Sequence, residues 1–305
     1  MLQILADGLI IGSVVSLGAI GLSMTLSIVR FSNFSHGELL GWGAYLALVA
    51  STALNATSAA WSVPIGPFSF GWGLLLALVL ACGLTALLAF GLDAILFKRL
   101  RKQGSITLVI ASFGAALALR NLLLFWQGGI PRYYSENLQI AIAFLPRSTW
   151  GGLRATPDQL LVLALALLTV TGLHFFLQRS TLGRAMRATA LNPGLARVTG
   201  IDPERVLRAT WLMGGVLAAI AGVFAGLTVQ MRPTMGVDLL LPLFAAVILG
   251  GIGSIWGAVL GGFVVGMAES VSITLVGAEY RSAAAFVVLI AILMVRPRGL
   301  FGERN

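Results

Sequence analysis

Long stretches without a charged side chain or a histidine dominate this sequence. A helix needs about 20 residues to cross the roughly 30 Å hydrocarbon core of a membrane, and four stretches reach that length. Charged residues make up only 10% of the 305 positions, against about a quarter in soluble domains. Several membrane crossings are therefore predicted. The four stretches run from Gly8 to Val29, Leu39 to Leu92, Ala209 to Met231 and Leu239 to Ala268.

The predicted fold is an all-α integral membrane protein, a polytopic helical bundle in one transmembrane domain over residues 1–305. Helices are expected because a backbone exposed to lipid must satisfy its own hydrogen bonds. Shorter uncharged runs add crossings if their interfacial flanks are included. The predicted spans are 8–29, 39–55, 71–96, 105–126, 159–178, 209–230 and 282–296, with a Gly-rich segment at 239–276 before the last.

The basic residues set a predicted orientation, because cytoplasmic loops retain Lys and Arg. Placing the amino terminus outside leaves most of the 20 basic residues inside. The net charge of +9 is thus a topology signal rather than a nucleic-acid-binding surface. Predicted inside are Arg30, Lys98, Arg99, Arg101, Lys102, Arg179, Arg184, Arg187, Arg197, Arg205, Arg208, Arg296, Arg298 and Arg304, and outside are Arg132, Arg147, Arg154, Arg232 and Arg281.

This orientation constrains the Gly-rich segment 239–276. A single crossing there would leave Arg296 and Arg298 on the wrong side of the membrane. The segment must return to the side from which it came, either as two short crossings that turn near residues 250–253 or as a re-entrant pair of half-helices. Broken helices are typical of transport pathways, where irregular backbone faces protein or a wet cavity.

Small residues recur at every fourth position on several predicted spans. Such stripes let helix backbones approach closely in a membrane, so they indicate tight bundle packing or dimerisation. The stripes are Gly8, Gly12 and Ser16; Gly214, Ala218, Gly222 and Gly226; and Gly253, Gly257 and Gly261.

Several function classes lack the residues they need. No Gly-x-x-x-x-Gly-Lys-Ser/Thr loop is present, so the chain has no phosphate loop of its own for ATP. A membrane enzyme would need a cluster of reactive side chains, whereas His36, His174 and Cys82 are isolated in sequence. An ion-coupled secondary carrier would place charged groups near mid-membrane, and the uncharged spans argue against it.

The polar segment 179–208 is predicted to lie inside and to form two short helices. The first would run from about Gly183 to Leu191, and Asn192-Pro193 would end it and start a second that ends near Gly200. The pair could dock into a groove on a partner protein, or it could be a basic surface held near anionic lipid. The pattern alone leaves both interpretations open.

Four separated segments, in this order, resemble the permease family of branched-chain amino acid importers, and specifically the shorter, H-type, of its two paired permease subunits. The resemblance covers nearly the whole chain. The segments are Phe31-Ser-Asn33-Phe-Ser-His36-Gly37-Glu38 with Gly41 to Tyr45, then Gly183-Arg184-Ala-Met-Arg187-Ala through Gly200-Ile201, then Val247 to Ala258, and finally Arg296-Pro297-Arg298-Gly299-Leu300-Phe301-Gly302.

The resemblance implies an ATP-binding-cassette importer in the bacterial inner membrane. Its partners would be a second permease subunit, two cytoplasmic ATPases and a periplasmic solute-binding protein, and this chain would bind no cofactor. It would form half of the pathway for branched-chain or related amino acids. Alternatives are a urea or short-amide importer of the same family, or the secondary carrier above.

The resemblance also identifies the loop 179–208 as the element that docks on the ATPase. Such loops often carry a Glu-Ala-Ala core, but this chain has Arg187-Ala-Thr-Ala and no acidic residue before Asp202. The implied coupling residues are Gly183, Arg184, Arg187, Ala188, Gly200 and Ile201.

Ionisable residues within or beside spans are candidates for pathway or gating roles, since charge in a bilayer is costly. Arg120 could attract a substrate carboxylate, or snorkel or pair at the outer interface. His36 is expected to be a hydrogen-bonding residue at a helix start, at the inner end of the second span. The candidates are Asn33, His36, Gly37, Glu38, Arg120, Gly250, Gly251, Gly253, Ser254 and Glu269.

Overall fold

The computed structural model describes residues 1–135, 139, 141–145, 152–296 and 299–301. Eight helices in this part are long and apolar enough to cross a membrane, which confirms the predicted polytopic helical bundle. Residues named above that lie outside the described part are Arg147, Pro297, Arg298, Gly302 and Arg304.

The helices follow the predicted spans closely. The third helix continues past its regular part, Trp72–Leu92, through a π-helical turn at Asp93–Phe97 and two further turns that end at Gln103. Short 3-10 turns lie at Ala59–Trp61 and Ala278–Tyr280. The helices are α1 Leu2–Val29, α2 Ser35–Thr57, α3 Trp72–Leu92, α4 Ser105–Gln127, α5 Pro157–Arg179, α6 Thr181–Leu191, α7 Pro193–Val198, α8 Pro203–Thr228, α9 Met235–Gly250, α10 Ile255–Leu275 and α11 Arg281–Val295.

A small hairpin between α4 and α5 interrupts the helical pattern. Strand β1, Ile142–Leu145, pairs antiparallel with β2, Leu153–Ala155. Helix α5 then begins with a capping box in which Thr156 accepts from the Gln159 backbone and the Gln159 side chain accepts from the Thr156 backbone. These reciprocal bonds satisfy backbone donors that the first helical turn leaves free.

Helix α1 forms the centre of the bundle and α10 packs along it. Small residues allow this contact: a Cβ added at Gly262 would meet Ser16, and one added at Gly266 would meet the Gly12 backbone. The stripe on α1 thus packs as predicted, but against Gly262 and Gly266. In the third predicted stripe, Gly257 and Gly261 of α10 instead face the backbone of α9, whereas Gly253, in the turn before α10, faces Ser27 of α1.

The bundle has two distinct ends. At the first, which we call the basic end, the Arg30 guanidinium donates to the Ala190 carbonyl of α6 at 3.3 Å. At the opposite end, which we call the cavity end, the Gln3 side chain bonds both backbone groups of Arg154. Arg30 and Arg154 therefore lie at opposite ends of the bundle, as the orientation argument requires.

The Gly-rich segment returns to the end from which it came. Its two helices, α9 and α10, are joined by a turn at 251–254, where Gly251 and Gly253 adopt positive φ values of 97° and 88° that favour glycine. Helix α10 extends along the length of α1, since Gly253 contacts Ser23 at one end and Ser270 contacts Ile4 at the other. Helix α9 has 16 residues, or about 24 Å. Of the two helices, only α10 is long enough to cross a membrane, and Gly236 at the start of α9 packs against Gly37 at the start of α2. The segment therefore returns as one half-length helix and one full crossing, which combines features of the two alternatives.

Helix α2 begins beside the middle of α1. The His36 Nε2 atom lies 3.1 Å from the Gly18 carbonyl oxygen, and about 16 Å of helix separates Gly18 from Val29. The non-helical residues 30–34 therefore lead back from the end of α1 towards its middle. His36 and Glu38 therefore lie in the first turn of the second span, as expected, but this turn lies beside the middle of α1 and not at its inner end.

Candidate functional site

A cavity of about 550 Å³ opens at the cavity end, between α1, α9, α10 and the ends of α5 and α8. This volume lies within the range of small-molecule sites, about 300–1,000 Å³. Its charged and amide-bearing lining residues are Asp7, Gln159, Gln230, Arg232, Asp238 and Arg281. Its aliphatic lining includes Ile10, Ile11, Val14, Val15, Leu239 and Ile273.

Two opposite charges on the cavity wall flank the first residue of α9. Arg232 precedes the helix, and Asp238 lies in its first turn, with its backbone N–H donating to the Thr234 carbonyl at 3.2 Å. The Gln230 amide lies between the Tyr133 hydroxyl, at 3.0 Å, and the Arg232 Nε atom, at 2.8 Å. Among the described residues, neither Arg232 nor Asp238 has an ion-pair partner.

Arg281 reaches the same cavity but is already paired. Its Nε atom lies 2.5 Å from Oε2 of Glu269, which is fully buried in α10, while the Arg281 side chain remains one-third exposed. Glu269, a predicted pathway residue, does not line the cavity itself. It positions Arg281 on the cavity wall.

The predicted cluster at the start of α2 is brought together beside the start of α9, where Glu38 lies against Gly236, but its residues do not line the cavity. Arg120 of α4 donates to Glu38 Oε1 at 2.8 and 3.1 Å, and Glu38 is only 1% exposed. The expectation that Arg120 pairs or snorkels at the outer interface is thus wrong in place, because α2 begins deep in the bundle. The Asn33 side-chain Oδ1 atom accepts from the Ser35 backbone N–H and hydroxyl, and Gly37 packs against Gly236 of α9.

These contacts give the cluster a structural character. His36, Glu38 and Asn33 are each at most 1% exposed, and their partners lie on α1, α4 and within the start of α2. Burying an ionised group requires a partner of opposite charge, which Arg120 supplies for Glu38. The cluster therefore fastens α2 to its neighbours.

The predicted turn residues close the basic end. Ser254 caps α10 by accepting from the Gly257 N–H at 3.0 Å. The third and fourth resembling segments meet here, since the Leu300 and Phe301 N–H groups donate to the Leu249 and Gly250 carbonyls at 2.7 and 3.1 Å. Gly250, Gly251, Gly253 and Ser254 do not line the cavity.

The segment 179–208 forms the predicted helical pair. Ser180 caps α6 by accepting from the Gly183 N–H at 2.9 Å, and Asn192 caps α7 by accepting from the Leu195 N–H at 3.0 Å. Gly200 follows with φ at 84°. Residues Gly183, Met186 and Thr189 face the bundle, and Ala188 and Ile201 are half-buried.

The opposite face of this pair is exposed, and we call it the α6–α7 surface. It combines two cations with large aliphatic side chains that are between 62% and 84% exposed. Exposed apolar groups that lie together with charges are typical of sites that bind another protein. The surface consists of Arg184, Arg187, Leu191, Leu195 and Val198.

Sequence reasoning missed the charged residues of the cavity. Arg232 and Arg281 were placed only as outer basic residues, and Asp7 and Asp238 were given no role. A usable signal was present, because both acids directly border long uncharged runs on the side predicted to carry those two arginines.

Comparison with known proteins gives a consistent picture. Residues 4–295 match the sequence model of a family described as the permease component of branched-chain amino acid transport systems. The chain is 32% identical to the high-affinity branched-chain amino acid transport system permease protein BraD of Pseudomonas aeruginosa, over 99% of this chain and 96% of that protein. It is 30% identical to LivH of Escherichia coli, of the same description, over the same shares. Among solved structures, PsaBC from Streptococcus pneumoniae in complex with Fab aligns with 96% of this chain and 91% of that chain, at 14% identity and a TM-score of 0.48.

Proposed function

The chain belongs to the branched-chain amino acid transport permease family, and from this premise we propose that it forms half of the translocation pathway of an ATP-driven importer for branched-chain or related amino acids. It is a multi-pass membrane protein and a transport subunit, not an enzyme. The proposed location is the bacterial inner membrane, with the basic end in the cytoplasm.

The observation that carries the proposal is the separation of two surfaces. The cavity opens at one end of the bundle, and the α6–α7 surface lies at the other. A permease must receive its solute on one side of the membrane and receive the energy of ATP hydrolysis on the other. The positive-inside rule places the basic end, and with it the α6–α7 surface, in the cytoplasm.

The α6–α7 surface is the proposed docking site for a cytoplasmic ATPase. Leu191, Leu195 and Val198 are exposed in a part of the chain expected to lie in water, and a partner groove would remove them from it. Arg184 and Arg187 would provide charge contacts at the rim. Gly183 and Ile201 would support α6 and α7 on the side that faces the bundle, and Gly200 would end the helical pair. A lipid-binding role for the same surface is the alternative to be tested.

The remaining partners are proposed because this chain alone cannot carry out every step of ATP-driven import. No phosphate loop is present in the sequence, so ATP hydrolysis is assigned to two partner ATPases. A second permease would complete the pathway, and a periplasmic binding protein would deliver the solute to the cavity end. The chain itself is proposed to bind no cofactor.

The experiment is uptake by the complete importer in proteoliposomes, with leucine, isoleucine, valine and urea as solutes. Uptake of the amino acids should require ATP and the binding protein. The Arg184→Glu/Arg187→Glu double variant should abolish uptake, because charge reversal opposes docking. Arg99→Glu/Lys102→Glu is the matched control, since both residues are exposed at the basic end outside the α6–α7 surface.

ATP-independent uptake by this chain alone would contradict the proposal and favour a secondary carrier. Uptake of urea in preference to the amino acids would support an importer but would show that its solute is urea or a short amide. Equal loss of uptake in both double variants would remove the docking role of Arg184 and Arg187.

A further inference from the structure

We propose that the cavity contains a binding site for a zwitterionic amino acid with an aliphatic side chain, in which Arg232 contacts the carboxylate and Asp238 the ammonium group. The inference rests on the proposed function and deepens it, because it assigns solute recognition to named residues of the permease itself.

First, neither of these two charges has an ion-pair partner among the described residues, although the Gln230 amide lies beside the Arg232 guanidinium. Within the described chain, the other ion pairs engage Glu38, Asp93, Glu204 and Glu269 with a Lys or Arg. Arg232 and Asp238 line one cavity and remain unpaired. Both side chains are exposed where they line the cavity, and ionisable residues that face a water-filled cavity within a membrane protein mark solute pathways. A zwitterion supplies one opposite charge to each.

The second argument is the polarity of helix α9. Its first residue, Met235, lines the cavity, so the positive end of the helix dipole is directed there. Half-helices in transporters present their amino termini to anionic substrate groups in this way. The dipole and Arg232 favour a carboxylate near the start of α9, and Gln230 holds the guanidinium.

The third argument is the aliphatic wall. Ile10, Val14, Leu239 and Ile273 face the same space as the two charges. Burying a branched aliphatic side chain against them removes apolar surface from water. Urea and short amides have neither opposite charges nor a side chain to bury, so the cavity favours an amino acid.

The test is binding of tritiated leucine to the complete importer in nanodiscs, without ATP and without the binding protein. Three competitors separate the contacts: 4-methylpentanoate lacks the amine, isoamylamine lacks the carboxylate, and urea lacks both. Leucine should bind, each singly charged analogue should compete at least about tenfold more weakly, since charged hydrogen bonds carry that much affinity, and urea should not compete.

Two variants identify which charge contacts which group. Asp238→Asn should weaken leucine at least about tenfold and bring its affinity close to that of 4-methylpentanoate. Arg232→Gln should lower the affinity for leucine until it is close to the affinity for isoamylamine. When a substitution weakens only the ligands that carry one particular charged group, the substituted residue contacts that group, because general damage to the protein would weaken all ligands. Arg154→Gln is the matched control, because this exposed arginine engages Gln3 only through its backbone, and its binding should be unchanged.

Failure of leucine to bind the wild-type importer would overturn the inference, as would variants that weaken all ligands equally. ATP-driven leucine uptake without this binding would leave the proposed function standing and remove the site. Binding with the expected coupling, in an importer that shows no ATP-driven uptake, would support the site and contradict the proposed function.

Discussion

The charges at the two ends of the bundle are arranged in opposite ways. At the basic end, Lys98 and Arg101 both contact Glu204, at 3.2 and 3.5 Å, and Arg101 also pairs with the buried Asp93. At the cavity end, Arg232 and Asp238 share a cavity, and neither has an ion-pair partner among the described residues. The difference indicates which charges maintain the fold and which are available to a solute.

The largest expected effect is on the paired charges in the centre of the bundle. Arg120→Gln should lower the free energy of unfolding by about 3 kcal/mol, because it leaves Glu38 buried without its partner. Thermal unfolding of the purified protein in detergent measures this loss. The Arg120→Gln/Glu38→Gln double variant should recover part of it, and a double variant as unstable as both single changes added together would contradict the pairing.

Disruption of the close packing at the basic end should lower the free energy of unfolding by nearly as much. A Cβ at Gly250 would meet the Gly257 backbone, so Gly250→Ala should cost about 2 kcal/mol through overpacking. The same unfolding assay applies. Gly83→Ala is the matched control, because a Cβ there meets nothing within 4 Å, and equal effects at the two positions would argue against a tightly closed turn.

A smaller loss is expected at the ion pairs of the basic end. Arg101→Gln should cost about 1.5 kcal/mol, less than the central pair, because Asp93 is as buried as Glu38 but keeps the nearby charge of Lys98 after the change. Lys98→Gln should have almost no effect because both partners are exposed. Reversal of this order in the unfolding assay would show that burial does not set the value of these pairs.

The unpaired charges should contribute least to stability. Arg232→Gln and Asp238→Asn should each change the free energy of unfolding by less than about 0.5 kcal/mol, as expected for side chains without structural partners. Unfolding without added solute provides the measurement. A loss as large as that of Arg101→Gln would mean that the two ends do not differ in the proposed way.

The sequence predicts those features that depend on local pattern. Spans follow from apolar length, and helices α6 and α7 follow from the capping residues Ser180 and Asn192. The turn at 251–254 follows from the basic residues that must remain on one side. Each of these signals lies within a few positions of the element that it specifies.

The depth of α2 and the cavity could not be predicted in the same way. Residues 31–38 have the polar composition of a loop that follows a span, and only packing against Gly18 places them beside the middle of α1. Arg120 and Glu38 are 82 positions apart. The cavity lining comes from several helices, so no local pattern joins Asp238 to Asp7.

The most direct measurement is the side from which each end of the bundle can be labelled. Cys82 is the single cysteine, so a Cys82→Ala background allows Asp238→Cys and Arg187→Cys to be probed separately. A membrane-impermeant maleimide is applied to right-side-out and inside-out vesicles. We expect the Asp238→Cys variant to be labelled from the periplasmic side alone and the Arg187→Cys variant from the cytoplasmic side alone. Labelling of both variants from the same side would contradict it.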